Sequence, residues 1–376
     1  MKRRLLLVGG GHAHVEVLRR FGLRPEPNVE ITLINAGRHT VYSGMLPGLI
    51  AGHYGWRACF IDLEVLARFA NARLLRDIAT GLDLERKLVH CADAAEVAYD
   101  IVSIDVGSVA NANTVPHSER HGLLVKPVQR FLSAWDGLVH EAGGAELAIA
   151  IVGAGAAGVE LCLSMQHRLR QRGPDNRAQF SLITLTPDIL PDHNPRVRCR
   201  MERVLRARGV IIKTNSHVVG VDERKLELED GSSLPADRAV WATGPAAPRW
   251  LGASGLRTDE RGFVLVNDSL QSLSHADVFA AGDIATMANH PRPKSGVYAV
   301  RQGPPLADNL RAVLRGEPLR TYEPQPVALQ LITTGERNAI GSWGSLCAEG
   351  HWVWRWKDAI DRRFVARYRP HGSTAR

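Results

Sequence analysis

The 376-residue sequence predicts an α/β fold of two Rossmann-like domains followed by a short C-terminal unit. Three observations carry that expectation. A glycine cluster, "VGGGHAH" at 8–14, stands between an apolar strand and a helix. A second, "VGAGAAGVE" at 152–160, repeats the arrangement with full G-x-G-x-x-G spacing. Late in the chain, "VFAAGD" at 278–283 runs a short apolar strand straight into a glycine and a carboxylate.

The first strand is Arg3–Val8, an apolar run ended by three glycines. Residues 12–21 read as a helix with Val15, Leu18 and Phe21 on one face, and a second strand, "VEITLIN", closes at Asn35. In this context Gly9 permits a tight turn and Gly11 lets a phosphate approach the backbone, while the helix N-terminus offers unpaired N–H groups to a pyrophosphate. The third glycine of the pattern governs helix–strand packing, not phosphate contact, and here it is replaced by His14, which weakens the case for that packing more than the case for phosphate binding. At the end of the second strand a carboxylate would grip ribose hydroxyls. Asn35 stands there instead, with an amide that hydrogen-bonds without charge assistance. His12 and His14 are two apart on a helix and point to different faces, which argues against a shared metal ion. For each, a hydrogen bond to a cofactor phosphate and a helix-surface role both stay open.

The second turn is complete. Gly153, Gly155 and Gly158 follow the strand Leu147–Val152 and open a helix. In the third element, Val278–Ala281 leads into Gly282, where a backbone can approach a ligand. Asp283 at the strand edge can accept hydrogen bonds from sugar hydroxyls; the plainer alternative is a helix N-cap.

At 41.2 kDa the chain exceeds a single hydrophobic core, so two domains are expected. No apolar run approaches the ~20 residues that span a bilayer. The head "MKRRLLLVGGG" has too short an apolar stretch for a signal peptide and reads as a buried strand, while the cysteine usage fits the cytoplasm. Five cysteines (Cys59, Cys91, Cys162, Cys199, Cys347) are scattered singly, without C-x-x-C or C-x4-C pairs. That speaks against structural zinc, an iron–sulfur cluster or a local redox disulfide, and no metal site is expected. Net charge is +8, but the charge is dispersed and no basic-aromatic motif accompanies it, which disfavours nucleic acid.

In this order the landmarks resemble the two-dinucleotide flavoproteins of the pyridine nucleotide–disulfide oxidoreductase superfamily, with glutathione-reductase-like architecture. "YDIVSIDVGS" at 99–108 looks like the family's strand ending in A-T-G-S, altered at Asp105–Ser108. "AVWATGPAAP" at 239–248 looks like its second A-T-G, intact at Ala242–Gly244. More finely, "VYSGMLPGLIAGHY" (41–54), "KSGVYAVRQGPPLADNLR" (294–311) and "WVWRWKDAIDRRFVARY" (352–368) resemble the flavoprotein found fused to, or encoded with, selenide, water dikinase. That group is itself similar to type II NADH dehydrogenases.

The resemblance implies FAD on the first turn and NADH or NADPH on the second. It places FAD against Gly9, Gly11, His12, Asn35, Gly107, Gly282 and Asp283, with Arg38 at the adenosine or pyrophosphate. Met45, Leu46 and Pro47 would lie along one face of the isoalloxazine. A helix opening near Val297 and Tyr298 would aim backbone N–H groups and a positive dipole at the flavin N1–O2 edge, the backbone rather than the Tyr298 side chain acting there. The nicotinamide nucleotide falls to Gly153, Gly155, Gly158, Thr243 and Gly244, with Glu160 facing the carboxamide. After the strand "FSLITLTP" neither an acid nor an arginine stands at the position that separates NAD from NADP, so that choice stays open.

The expected domains are 1–112 with 238–315 (FAD), 113–237 (NAD(P)H) and a small unit at 316–376. The implied activity is hydride transfer from nicotinamide to flavin N5, then electrons onward to a small-molecule acceptor, a quinone among the candidates. The alternative is a flavin-binding redox partner in selenium or sulfur metabolism, linked to selenide, water dikinase and without nicotinamide turnover. The missing C-x4-C pair and the short C-terminal unit set disulfide reduction aside. Hydride transfer demands no side-chain acid or base, so no catalytic residue is assigned. Cys162 reads as a packing residue, while a solitary reactive thiol at Cys347, in a loop or strand end, stays open. In the tail, Ile360, Phe364, Val365 and Tyr368 form an apolar stripe, and Lys357, Arg362, Arg363, Arg367 and Arg369 carry charge. The favoured reading is a helix capping the flavin domain with its arginines solvated. The other is a helix resting on anionic lipid at the inner face of the membrane, beside which a quinone enters.

Overall fold

The computed structural model describes residues 2–93, 96–110, 115, 122–141, 147–173 and 178–369. The boundary expected at 112–113 lies outside the described residues. The elements that build the site are, in chain order, β1 (Arg3–Val8), α1 (His12–Leu23), β2 (Val29–Ile34), α2 (Leu46–Ile50), β3 (Ala72–Leu75), β4 (Ile101–Ile104), β5 (Gly122–Leu124), β6 (Ala148–Val152), α3 (Ala156–Arg170), β7 (Gln179–Ile183), α4 (Pro195–Ala207), β8 (Ile211–Lys213), β9 (Arg238–Trp241), β10 (Val278–Ala280), α5 (Gly296–Arg315), β11 (Gln330–Thr333), β12 (Ala339–Trp343), β13 (Leu346–Gly350) and α6 (His351–Arg367).

Two five-stranded parallel sheets organise the molecule, in the orders β10-β4-β1-β2-β3 and β5-β9-β6-β7-β8. Their central strands read as near-continuous apolar runs because helices cover both faces of a parallel sheet. Leu5 to Val8 and Ile149 to Ile151 are at most 1% exposed. In each sheet the order reverses beside the strand that feeds a glycine turn. This is the crevice where open α/β sheets bind ligands. The late strand β10 returns to the first sheet, paired with β4, and so delivers Gly282 and Asp283 beside the first turn.

A three-stranded antiparallel sheet, β11-β12-β13, and helix α6 form the C-terminal part. Helix α6 starts at His351, before the stripe read from the sequence. Phe364, Val365 and Tyr368 are buried, but Ile360 is 41% exposed. Lys357, read from the sequence only as part of the basic charge beside the stripe, is buried. It pairs with Asp361 one turn on (Nζ–Oδ2 2.6 Å) and donates to the Gly44 carbonyl. No described helix is long and apolar enough to cross a membrane.

Candidate functional site

The first glycine turn closes on β4. A methyl group at Gly11 would run into the Asp105 carboxyl, so only glycine lets the turn come this close. His14 fills the position of the packing glycine and is not on the helix surface. It is fully buried, with Nδ1 2.6 Å from the Gly9 carbonyl and Nε2 2.8 Å from the Ser103 hydroxyl. Burial lowers its pKa to about 4. The ring is therefore neutral at pH 7, donating to Gly9 and accepting from Ser103. Asn35 holds the turn with both ends of its amide, accepting from Gly10 N–H (2.8 Å) and donating to the Gly37 carbonyl (2.8 Å). Arg38 is paired with Asp62 (2.8 Å) and Glu64 (3.2 Å).

The strand-edge pair lies opposite. Gly282 N–H donates to Gln302 Oε1 at 2.7 Å, which ties it to α5. Asp283 lies in a short 3-10 turn, two residues past the N-cap, Ala281. Lys126 reaches it from the segment after β5, with Nζ 2.7 Å from the Ser108 hydroxyl and 3.4 Å from Asp283. Nearby, Lys294 donates to Thr286 (2.8 Å), and burial lowers its pKa to about 8. Helix α5 begins at Gly296 with Ser295 as N-cap, no side chain capping its amides and no acidic residue in its first turn. Val297 and Tyr298 thus sit at an uncapped, positive helix end, and a cleft lined by Asp283, Lys294, Ser295 and Tyr298 opens there.

The second turn obeys its spacing. A methyl at Gly158 would strike the Gly153 carbonyl, and α3 follows with Gly155 as N-cap. Thr243 and Gly244 follow β9, the strand beside β6. Glu160, half-buried on α3, accepts from Thr333 N–H (2.8 Å) and its hydroxyl (3.3 Å). Burial raises its pKa, against the pull of Lys357 and Thr333.

These parts meet over residues 42–47. Met45, Leu46 and Pro47 are buried. Ser43 lies against Gly296 at the start of α5, and Gly44 against Asp361 on α6. Tyr42 stacks on Phe364 (centroids 4.2 Å) and bonds Asp361. His12 stands 5.4 Å from the Tyr42 ring and 6.0 Å from Phe364, and burial lowers its pKa to about 4. Thus the three segments whose resemblance was noted (41–54, 294–311, 352–368) converge on one place. Sequence reading missed Asp105, Lys126, Thr333, Lys357 and Asp361 as site residues. The available signals were an acid in place of alanine in "SIDVGS" and a Lys–Asp pair at i, i+4 inside the apolar stripe.

Cys347 lies in β13, half-buried, with its pKa raised by desolvation. An activated thiolate is not what that environment makes. Burial pushes the Cys162 thiol up to about 12, as for a packing residue. Among the described residues no group of three or more potential ligands could hold a metal ion.

Two glycine-lined cradles, each at the switch point of a parallel sheet, define a two-dinucleotide oxidoreductase, and the residues present fit FAD on the first. The family model of pyridine nucleotide-disulphide oxidoreductases matches residues 3–303. The type II NADH:quinone oxidoreductase of Staphylococcus aureus is 23% identical over 345 residues, covering 86% of this chain and 85% of that one. Two solved structures have a TM-score of 0.80: the sulfide:quinone oxidoreductase of Aquifex aeolicus (18% identity, 98% of this chain and 91% of that one) and NDH2 of Plasmodium falciparum in complex with NADH (15%, 100% and 99%). The chain belongs to the pyridine nucleotide-disulphide oxidoreductase family. It is an FAD-dependent NAD(P)H oxidoreductase.

Proposed function

We propose that the chain is an NAD(P)H:quinone oxidoreductase that works at a lipid surface, with residues 1–112 and 238–315 binding FAD, 113–237 the nicotinamide nucleotide and 316–376 the acceptor side. Bound FAD would supply the chemistry, accepting a hydride and returning electrons to the acceptor. The chain's own residues orient the rings, exclude water and hold protons. Gly153, Gly155, Gly158, Thr243 and Gly244 cradle the nicotinamide nucleotide, and Glu160 faces its carboxamide end. Gly9, Gly11, His12, Asn35, Arg38, Gly107, Gly282 and Asp283 hold FAD, Met45, Leu46 and Pro47 cover a ring face, and the start of α5 at Val297 and Tyr298 stabilises negative charge at its pyrimidine edge.

One observation carries the acceptor. Helix α6 presents two unlike sides at the same level. Its inner side buries Lys357 and Asp361 under the Gly44 carbonyl, next to Met45. Its outer side exposes Trp352 (57%), Trp356 and Ile360, and the neighbouring β12–β13 hairpin exposes Trp343 and Leu346. A tryptophan-rich apolar rim with Arg355 and Arg363 beside it suits an interfacial helix. The buried ammonium and carboxyls behind it can supply the protons that quinone reduction consumes. Both quinone relatives named above support this reading.

The test is twofold. NADH and NADPH are mixed anaerobically with the protein while flavin absorbance is followed, and then a short-chain naphthoquinone is added. Bleaching by a nicotinamide and recovery with the quinone are expected; recovery only with oxygen would exclude the quinone reading. Flotation with anionic liposomes should carry the protein upward, and W352S/W356S should stay behind.

The convergence of the three dikinase-related segments on one place favours a second reading, in which the acceptor is a selenium or sulfur compound handled with selenide, water dikinase. Co-purification with that enzyme, together with flavin that no nicotinamide bleaches, would choose it over the first.

A further inference from the structure

The two halves of the molecule place different residues at the same point. Beyond β9 the Ala242 carbonyl packs against Gly153, and beyond β4 the Asp105 carbonyl packs against Gly9. Where the second turn has a methyl group, the first has a carboxyl. That carboxyl is 2% exposed. Its Oδ2 accepts from Ala13 N–H (2.9 Å) and His14 N–H (3.1 Å), the opening amides of α1. Its Oδ1 lies between Gly11 and Gly282, the two glycines that face the cofactor cradle. A helix N-terminus of this kind is what receives a dinucleotide's pyrophosphate.

We propose that Asp105 is a proton-binding member of the FAD cradle: the pyrophosphate and an ionised Asp105 share one helix N-terminus, so FAD binding takes up one proton at this carboxyl. The inference rests on the first turn being the FAD site. The charges balance simply: the diphosphate enters as a dianion, and one proton from solvent neutralises the carboxylate beside it. Desolvation pushes the Asp105 carboxyl up to about 7, against the pull of its two amide donors and with a further push from Asp283. A diphosphate dianion moves it further in the same direction.

The groups around Asp105 do not supply the missing charge. His14 is neutral and occupied by Gly9 and Ser103, His12 is neutral, and Gln302 is engaged with Gly282. Lys126 pairs with Asp283, and among the described residues no cation pairs with Asp105. Lys294 also titrates near this window but faces Asp259 and Asp283.

The test titrates flavin-free protein with FAD from pH 6 to 9 by quenching of flavin fluorescence. Calorimetry at pH 7.5 in two buffers of different ionisation enthalpy then counts protons. Above about pH 7 the Kd should rise by up to tenfold per pH unit, with up to about three-quarters of a proton taken up at pH 7.5. D105N should bind with a flat profile and, at pH 8.5, more tightly than wild type, whereas K294M should keep the slope. A flat wild-type profile without proton uptake overturns the inference, as does a D105N protein that keeps the slope. Should D105N fail to fold, the proton count on wild type decides alone. Wild-type protein that binds no FAD at any pH would instead remove the flavoprotein reading, and this inference with it.

Discussion

His14 Nε2 stands 2.8 Å from the Ser103 hydroxyl, joining the first helix to the strand beside it. With Nδ1 on the Gly9 carbonyl, the ring spans the gap that the absent third glycine would have closed by direct packing. A wide helix–strand gap filled by a satisfied ring is equivalent to a narrow one closed by glycine, provided both ring nitrogens find partners.

The histidine is therefore part of the fold. H14A removes a buried ring and strands the Ser103 hydroxyl, and it should lower unfolding free energy by about 2–4 kcal/mol, from cavity and lost hydrogen bonds together. Urea denaturation checks this; a loss below about 1 kcal/mol would show that the ring carries no structural load.

Glycine at 158 permits a contact that no side chain survives, since a methyl there meets the Gly153 carbonyl. G158A should spoil the nicotinamide cradle and leave the FAD cradle of the other sheet intact. The expected variant is yellow, with NADH bleaching slowed at least about tenfold, the scale of a catalytic part misplaced by an ångström. Flavin content and anaerobic stopped-flow measure the two effects separately. Loss of both together would show that the two cradles are not independent.

Sequence reading captured most of what local rules encode. Strands β1, β2, β6 and β10 and both glycine turns were legible because apolar runs ended by glycine specify strand–turn–helix units. The site was less legible wherever a polar residue's partner lies far along the chain. Nothing near Asp105 announces that its carboxyl caps a helix more than ninety residues earlier, and nothing near Lys357 announces Gly44. Helical periodicity was read on residues after Trp356 as an apolar stripe with charges around it. It could not tell that Lys357 turns inward while Trp352 and Trp356 turn out, since basic residues and tryptophans both serve on either side. Likewise the identity of His14 was plain, but its two hydrogen-bond partners were not.

Lys357 compensates two acids at once, the buried Asp361 and the half-buried Glu160. It pairs with Asp361 and attracts Glu160, while burial raises the pKa of both carboxyls. K357M should destabilise by about 3–5 kcal/mol, the range for breaking a buried pair by removing one partner. The double variant K357M/D361N should regain part of that loss, because an amide in place of the Asp361 carboxylate leaves Glu160 as the one acid that has lost its cation. Thermal unfolding of the four proteins gives the coupling. A double variant less stable than K357M would mean that Asp361 has another cationic partner.

Asp105 and His14 make stability respond to pH in opposite senses, although they are hydrogen-bonded through one backbone amide. His14 titrates near 6.5 when unfolded and about 4 when folded. Its contribution is present above pH 6.5 and is lost as pH falls through 4, worth about 3 kcal/mol. Asp105 titrates at 3.8 when unfolded and about 7 when folded. Its contribution is present below pH 3.8 and is lost as pH rises through 7, worth about 4 kcal/mol. In wild type the two slopes nearly cancel between pH 4 and 7. The variants separate them when flavin-free protein is unfolded in urea at each pH. Relative to wild type, D105N should gain stability as pH rises from 4 to 7 and hold level above, whereas H14Q should gain as pH falls from 6.5 to 4. Two difference curves of the same sign would mean that one of these residues is hydrated in the folded protein, and the burial of His14 and Asp105 as the cause of their shifts would fall.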